Sequence, residues 1–145
     1  MPFVFDPQVL RYLILVTAGL HFCQLPATFI FAPRLLNWKE DLSKISPINQ
    51  AVVKAMGGGI VLAGVGLGIV VLFSPMELLG PSLLGRSLCG FLSLFWGYRA
   101  AVQIFVYPEI FPTGWMGRLS HFGLATLFSF QSLVYGWVFV VPYLR

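Results

Sequence analysis

The chain has 145 residues, 58% of them hydrophobic and only 10% charged, with a mean hydropathy of +0.86. Soluble domains carry roughly 25% charged residues, so the composition excludes a soluble enzyme or soluble binding module. The net charge of +4 comes from Lys and Arg scattered near the ends of apolar runs, and that scatter excludes a nucleic-acid partner, which needs basic residues gathered on one face.

Four apolar runs, at roughly 9–31, 50–73, 83–107 and 117–141, each reach the about 20 residues of helix that cross a bilayer. Little lies between them, so residues 1–145 read as a single all-α integral membrane domain. The first run is not a cleaved leader by its pattern: "MPFVFDP" has no basic stretch, and no small-residue cleavage site follows. Asp6-Pro7 instead has the form of a helix N-cap followed by Pro in the first turn. Cys23 and Cys89 have no metal-site spacing. They are expected in opposite leaflets, as small buried thiols and not as a disulfide.

The first connection, "FAPRLLNWKEDLSKISP", is the most polar part of the chain. Leu35, Trp38, Leu42 and Ile45 share one helical face, with Arg34, Lys39, Asp41 and Lys44 on others. That pattern predicts a short amphipathic helix lying in the membrane interface, anchored by Trp38; a plain loop is the alternative. Ser46-Pro47 starts the second run. The second connection, "SPMELLGP", reads as a turn bounded by Pro and Gly, and the third, "YPEIFPTGWMG", carries the interface residues Tyr107 and Trp115. Short connections make consecutive helices antiparallel neighbours. The expected architecture is a four-helix up-down bundle with both termini on one side. The first and third connections, with Lys54, hold Arg34, Lys39, Lys44, Lys54 and Arg118, against Arg11, Arg86 and Arg145 on the other face. The positive-inside rule then places the first and third connections in the cytoplasm.

In the second run, Gly64 and Gly68 form a GxxxG, and Ala55, Gly59 and Ala63 extend the stripe of small residues. Such a stripe lets two helix backbones approach closely in lipid. It serves packing within the chain or a seam to a second copy or another membrane subunit; spacing alone leaves both open.

Polar residues within the spans usually face the bundle interior. The first run carries Thr17, His21, Gln24 and Thr28 on one face, the third carries Arg99 and Gln103 at i and i+4, and the fourth carries His121, Ser132 and Tyr135. Depths counted at about 1.5 Å per residue put Arg99 roughly 12 Å, His21 roughly 16 Å and His121 about 6 Å below the same surface. One polar pocket opening towards the first and third connections is therefore expected. Arg99 stands apart within it. An Arg at a span centre costs about 2.5–3.5 kcal/mol on insertion scales, and every Asp and Glu lies outside the spans.

Three functions suit this pattern. The first is a site for a lipophilic molecule with an anionic or carbonyl head: a membrane lipid, quinone, fatty acid or porphyrin. Arg99 would hold the head, with Gln103, Gln24, His21 and His121 as hydrogen-bond partners and Trp96, Phe95 and Phe128 lining the apolar part. Catalysis on such a ligand is a sub-case, since His serves as acid or base near neutral pH. The second is haem ligation by His21 and His121, against which stands their separation of about 10 Å in height. The third is an accessory subunit of a larger membrane complex, with Arg99 paired to an acid on a neighbouring chain.

The run "FAPRLLNWKEDLSKISPIN" after a first-helix His, followed by "FWGYRAAVQIFVYP" in the third helix, resembles a group of small bacterial four-helix membrane proteins. The resemblance covers most of the chain and implies the fold and a bacterial inner membrane, but no activity. The first-helix His with a later "PRLL" is faintly similar to the small membrane-embedded protoporphyrinogen oxidases of bacteria. That likeness implies no site residue and keeps porphyrin among the ligands.

Overall fold

The computed structural model describes residues 6–26, 30–109 and 114–141, and among them every regular element is helical. Helix α1 spans Pro7–Pro26. Two short helices follow, α2 (Ala32–Leu35) and α3 (Trp38–Ser43), and then α4 (Pro47–Phe73), α5 (Pro75–Leu79), α6 (Leu83–Ala101) and α7 (Trp115–Val140). Val102–Val106 continues α6 as a π-helical turn. Four helices are long and apolar enough to cross a membrane: α1, α4, α6 with its π turn, and α7.

The helix starts follow local chemistry. The Asp6 carboxylate accepts from the Gln8 backbone N–H at 2.8 Å, and Ser82 caps α6 by accepting from the Gly85 N–H at 3.1 Å. Pro47 and Pro75 open α4 and α5, where a missing N–H costs no helical hydrogen bond. Helix α1 is described as far as Pro26; residues 27–29, Thr28 of the expected polar face among them, lie outside the described residues.

Two connections differ from expectation. The segment expected to form one interfacial helix is broken into α2 and α3 at Asn37, whose backbone is left-handed with φ 51°. Asn tolerates this region because its short polar side chain bonds locally; here the side-chain amide donates to Glu40 Oε2. The amphipathic spacing of Leu35, Trp38, Leu42 and Ile45 cannot register such a turn. On α3, Lys44 Nζ sits 3.3 Å from Glu40 and 3.1 Å from Asp41. Hydrogen bonds to Asp41 and then Glu40 raise its ammonium above the ordinary lysine value. The second connection is not a bare turn but the short helix α5. A Cβ on Gly85 would collide with the Glu77 carbonyl oxygen, so only glycine lets α6 start this close to α5.

Packing is organised by two helix pairs, α1 with α4 and α6 with α7, and α1 also contacts α7. The α6–α7 seam is the closest. Ser93 Oγ donates to the Ser132 carbonyl at 3.0 Å and Ser132 Oγ donates to the Ser93 carbonyl at 2.8 Å. A Cβ on Gly97 would lie 3.0 Å from Ser132 Oγ, one on Gly136 2.9 Å from Ser93 Oγ, and one on Gly90 3.3 Å from the Phe139 ring. Gly90 with Phe139, Ser93 with Ser132 and Gln103 with His121 are met in opposite chain order, so α6 and α7 run antiparallel. The core is apolar, built on Ile14, Ala18, Val71, Leu92, Trp96, Phe128 and Tyr135.

The expected seam through Gly59, Ala63, Gly64 and Gly68 narrows to one position. A Cβ on Gly68 would lie 2.9 Å from His21 Cβ and 3.2 Å from the Phe22 ring of α1. Gly59 and Gly64 would meet nothing within 4 Å, and Ala63 is exposed. The physical reason is the edge position of α4: only Gly68 and Val71 are buried on it. The close small-residue approach belongs to α6 and α7, and its signal was present as Gly90, Ser93 and Gly97 at i, i+3 and i+7.

Candidate ligand-binding site

The polar face of α1 turns onto α7. His21 is buried, with Nε2 hydrogen-bonded to the Tyr135 hydroxyl at 3.1 Å. One turn further on, Gln24 Nε2 donates to Gln131 Oε1 at 2.6 Å. Thr17 is also buried, but its hydroxyl bonds back to the Ile14 carbonyl of its own helix at 2.7 Å. The His21 ring sits edge-on to Trp96 with centroids 5.1 Å apart. Gly68 makes room for His21 from the α4 side. The Gly64 backbone lies beside the ring, but no hydrogen bond of full geometry reaches Nδ1.

From the other side, α6 and its π turn bring Trp96, Arg99 and Gln103. Tyr107 N–H bonds to the Val102 carbonyl at 3.2 Å, five residues back, and this wider turn carries Gln103. Turns of this kind are rare and frequent at functional sites. Gln103 Nε2 and His121 Nδ1 are hydrogen-bonded at 3.0 Å.

These elements enclose a cavity of about 440 Å³. His21, Gln24, Trp96, Arg99 and Gln103, singled out in the sequence, all line it, together with Phe95 and Phe128. Gly64 lines it as well, and so stands at a wall and not at a helix seam. His121 is not on the wall; it bonds Gln103, which is. Of the α7 residues expected to share a polar face, Tyr135 meets α1 while Ser132 meets α6. Sequence reasoning missed Phe31, Leu35 and Trp38 as cavity residues, along with Ile60, Val61, Ser120 and Gly123. Trp38 and Leu35 were read as facing lipid; an apolar face has the same spacing whether it covers lipid or a cavity.

Arg99 carries the one formal charge among the described wall residues. It is partly buried, its guanidinium carbon 5.3 Å from the centroid of the Phe128 ring. Phe128 also stacks on Trp96, with centroids 5.4 Å apart and planes at 18°. Arg99 has no ion pair or hydrogen bond among the described residues; Glu40 and Asp41 are engaged by Lys44. Trp96 Nε1 is buried and has no acceptor among the described residues, and Gln131 Nε2, buried behind Gln24, is likewise without a partner among them.

The arrangement can hold a polar head and cover an apolar body. It can also present His21, backed by Tyr135, as a hydrogen-bonding group at the wall. Both cysteines are free, Cys23 exposed and Cys89 buried. No cluster of three or more His, Cys, Asp or Glu stands among the described residues. Comparison with protein families, curated proteins and solved structures finds no match to this chain, so its function is argued from the cavity itself.

Proposed function

We propose that the chain is a polytopic membrane protein whose cavity binds a lipophilic molecule by an anionic or carbonyl head. In this reading the four long helices form an up-down bundle in a bacterial inner membrane. The first and third connections lie in the cytoplasm, and the α2–α3 segment lies at the interface over the cavity. The observation that carries the reading is Arg99: a cation on the wall of a largely apolar cavity, supported by the Phe128 ring and supplied with no acid by the described residues. A charge held at this depth without an anion is costly, and intramembrane ionisable groups by default mark functional sites. Gln24, Gln103 and His21 supply further polar contacts at the wall.

Native mass spectrometry of the protein released from mild detergent tests this. The parent should carry a bound small molecule, Arg99→Met should stay folded and lose it, and Arg99→Lys should retain part of it, because Lys lacks the two-pronged contact. A folded Arg99→Met protein with unchanged ligand content would remove Arg99 from the site.

A second reading, an accessory subunit of a larger complex, draws on α4. Its outer face is apolar and exposed at Ile48, Val52, Met56 and Leu62, and Gly57, Gly58 and Gly59 have open space around them. Arg99 would then meet an acid of the neighbouring chain. Retention of a partner protein, lost in Arg99→Met, with no small molecule bound, would favour this second reading. Haem ligation is the weakest: the His21 and His121 rings are hydrogen-bonded to different partners, Tyr135 and Gln103.

A further inference from the structure

We propose that the ligand is a single-chain monocarboxylate, an amphiphile of the fatty-acid type, its carboxylate held by the Arg99 guanidinium. This rests on the reading of the cavity as a lipophilic-ligand site and narrows it to one head group and one chain.

The head group follows from charge and donors. The described wall supplies one positive charge, that of Arg99. A carbonyl would satisfy donors but leave the charge uncompensated; a monoanion does both. A phosphomonoester brings close to two negative charges at neutral pH, and a macrocycle with two carboxylates brings two anions to one cation. Each would bring a second negative charge to a wall with one cation, and an uncompensated charge out of water is costly. Geometry also favours a carboxylate. Trp96 and Arg99 stand at i and i+3 on α6, one turn apart on the same face. Phe128 touches both, stacked on the Trp96 ring and lying under the Arg99 guanidinium. The planar fork of Arg matches a two-oxygen planar acceptor, and the Trp96 and Phe128 rings beside it give the head group an apolar wall.

The chain follows from size and lining. The volume of about 440 Å³ lies at the low end of the roughly 300–1,000 Å³ of ligand pockets, which suits one chain and not a two-chain phospholipid. Away from the polar group, Leu25, Ile60, Val61 and Leu124 offer only hydrocarbon, and Phe31 and Leu35 add more from beside α2.

The test uses the full chain in nanodiscs of zwitterionic lipid and follows the unfolding midpoint as each compound is added. The compounds are palmitate, methyl palmitate, hexadecyl phosphate and a decyl-substituted benzoquinone. Palmitate alone should raise the midpoint saturably. Arg99→Met should weaken it roughly ten- to a hundredfold, as expected for a lost charge-assisted contact. Arg99→Lys keeps the charge without the two-pronged contact, so it should bind palmitate more weakly than the parent and more tightly than Arg99→Met. If the methyl ester, the phosphate or the quinone stabilises as well as palmitate or better, the carboxylate assignment is overturned while the lipophilic site stands. If none of the four stabilises the parent, both fall.

Discussion

Substituting Ala at Gly68 and at Gly64, two positions of one GxxxG, should give opposite results. At Gly68 the new methyl carbon would sit 2.9 Å from His21 Cβ, while carbon atoms in favourable contact lie about 3.5–4.0 Å apart. The gap must therefore open by about 0.6 Å or more at that point. The Phe22 ring, 3.2 Å away, can turn aside. His21 Cβ cannot, because it is fixed to the α1 backbone and its ring is held by Tyr135. Overpacking of this kind costs about 1–3 kcal/mol, and the helix preference of Ala over Gly returns roughly 0.5–1 kcal/mol. The net expectation for Gly68→Ala is a loss of up to about 2.5 kcal/mol. At Gly64 nothing lies within 4 Å of the new carbon, so Gly64→Ala should be neutral or stabilising by up to about 1 kcal/mol. Reversible unfolding in mixed micelles, followed by far-ultraviolet circular dichroism, measures both. Equal stabilities for the two variants would refute the close approach of α1 and α4 at Gly68.

Gln24→Leu and Gln131→Leu should each lower stability by about 1–3 kcal/mol by stranding a buried amide, and the double variant should lie closer to the parent than either single one; strict additivity in the same unfolding assay would mean the two amides do not meet. Tyr135→Phe removes the hydroxyl that holds His21 Nε2 and should cost about 1–3 kcal/mol; an unchanged midpoint would show that water replaces it. Gly85→Ala should be among the most damaging small substitutions, since the added carbon collides with the Glu77 carbonyl, and a parent-like melting curve would argue against the tight α5–α6 junction. Reporter fusions after residue 145 and within residues 39–44 should signal from opposite sides of the membrane, with the second in the cytoplasm; a cytoplasmic signal after residue 145 would reverse the orientation.

What the sequence discloses is what hydropathy and local chemistry control. Four spans are legible because bilayer thickness sets a length that a run of apolar residues either reaches or does not. Asp6-Pro7 and Ser46-Pro47 are legible because capping is a short-range interaction. The face carrying Thr17, His21 and Gln24 is legible from its spacing, but its partners are not, because helix rotation and neighbour choice depend on the whole bundle. The left-handed Asn37 and the π turn at Val102–Val106 leave no periodic trace. The Gly64–Gly68 motif drew attention to α4, while the tighter seam formed between α6 and α7, where serines interrupt the glycines and hide a GxxxG pattern. Motif reading favours uninterrupted repeats; packing needs only small side chains wherever two helices cross.

The distribution of satisfied and unsatisfied polar groups carries the functional argument further than any single residue. Where helices cross, polar side chains find partners in the chain: His21 with Tyr135, Gln24 with Gln131, Gln103 with His121, Ser93 with the Ser132 backbone. A bundle held together by interhelical hydrogen bonds needs no more than this. If Arg99 and Trp96 served only to hold helices together, they too would be paired, because an unpaired donor or charge in lipid is a cost that substitution to Leu or Met removes. Instead, among the described residues, the guanidinium meets only an aromatic face and the indole N–H meets no acceptor. Both lie one turn apart on the wall of the same cavity. Gln131 Nε2 and His21 Nδ1 are also without a partner among the described residues, but the Gln131 amide oxygen and His21 Nε2 are paired, so part of each requirement is met within the bundle. Arg99 is thus a wall group that the described residues leave without a hydrogen-bond partner and that a bound carboxylate would reach, and its cost to the empty protein is the reason for a ligand to bind there.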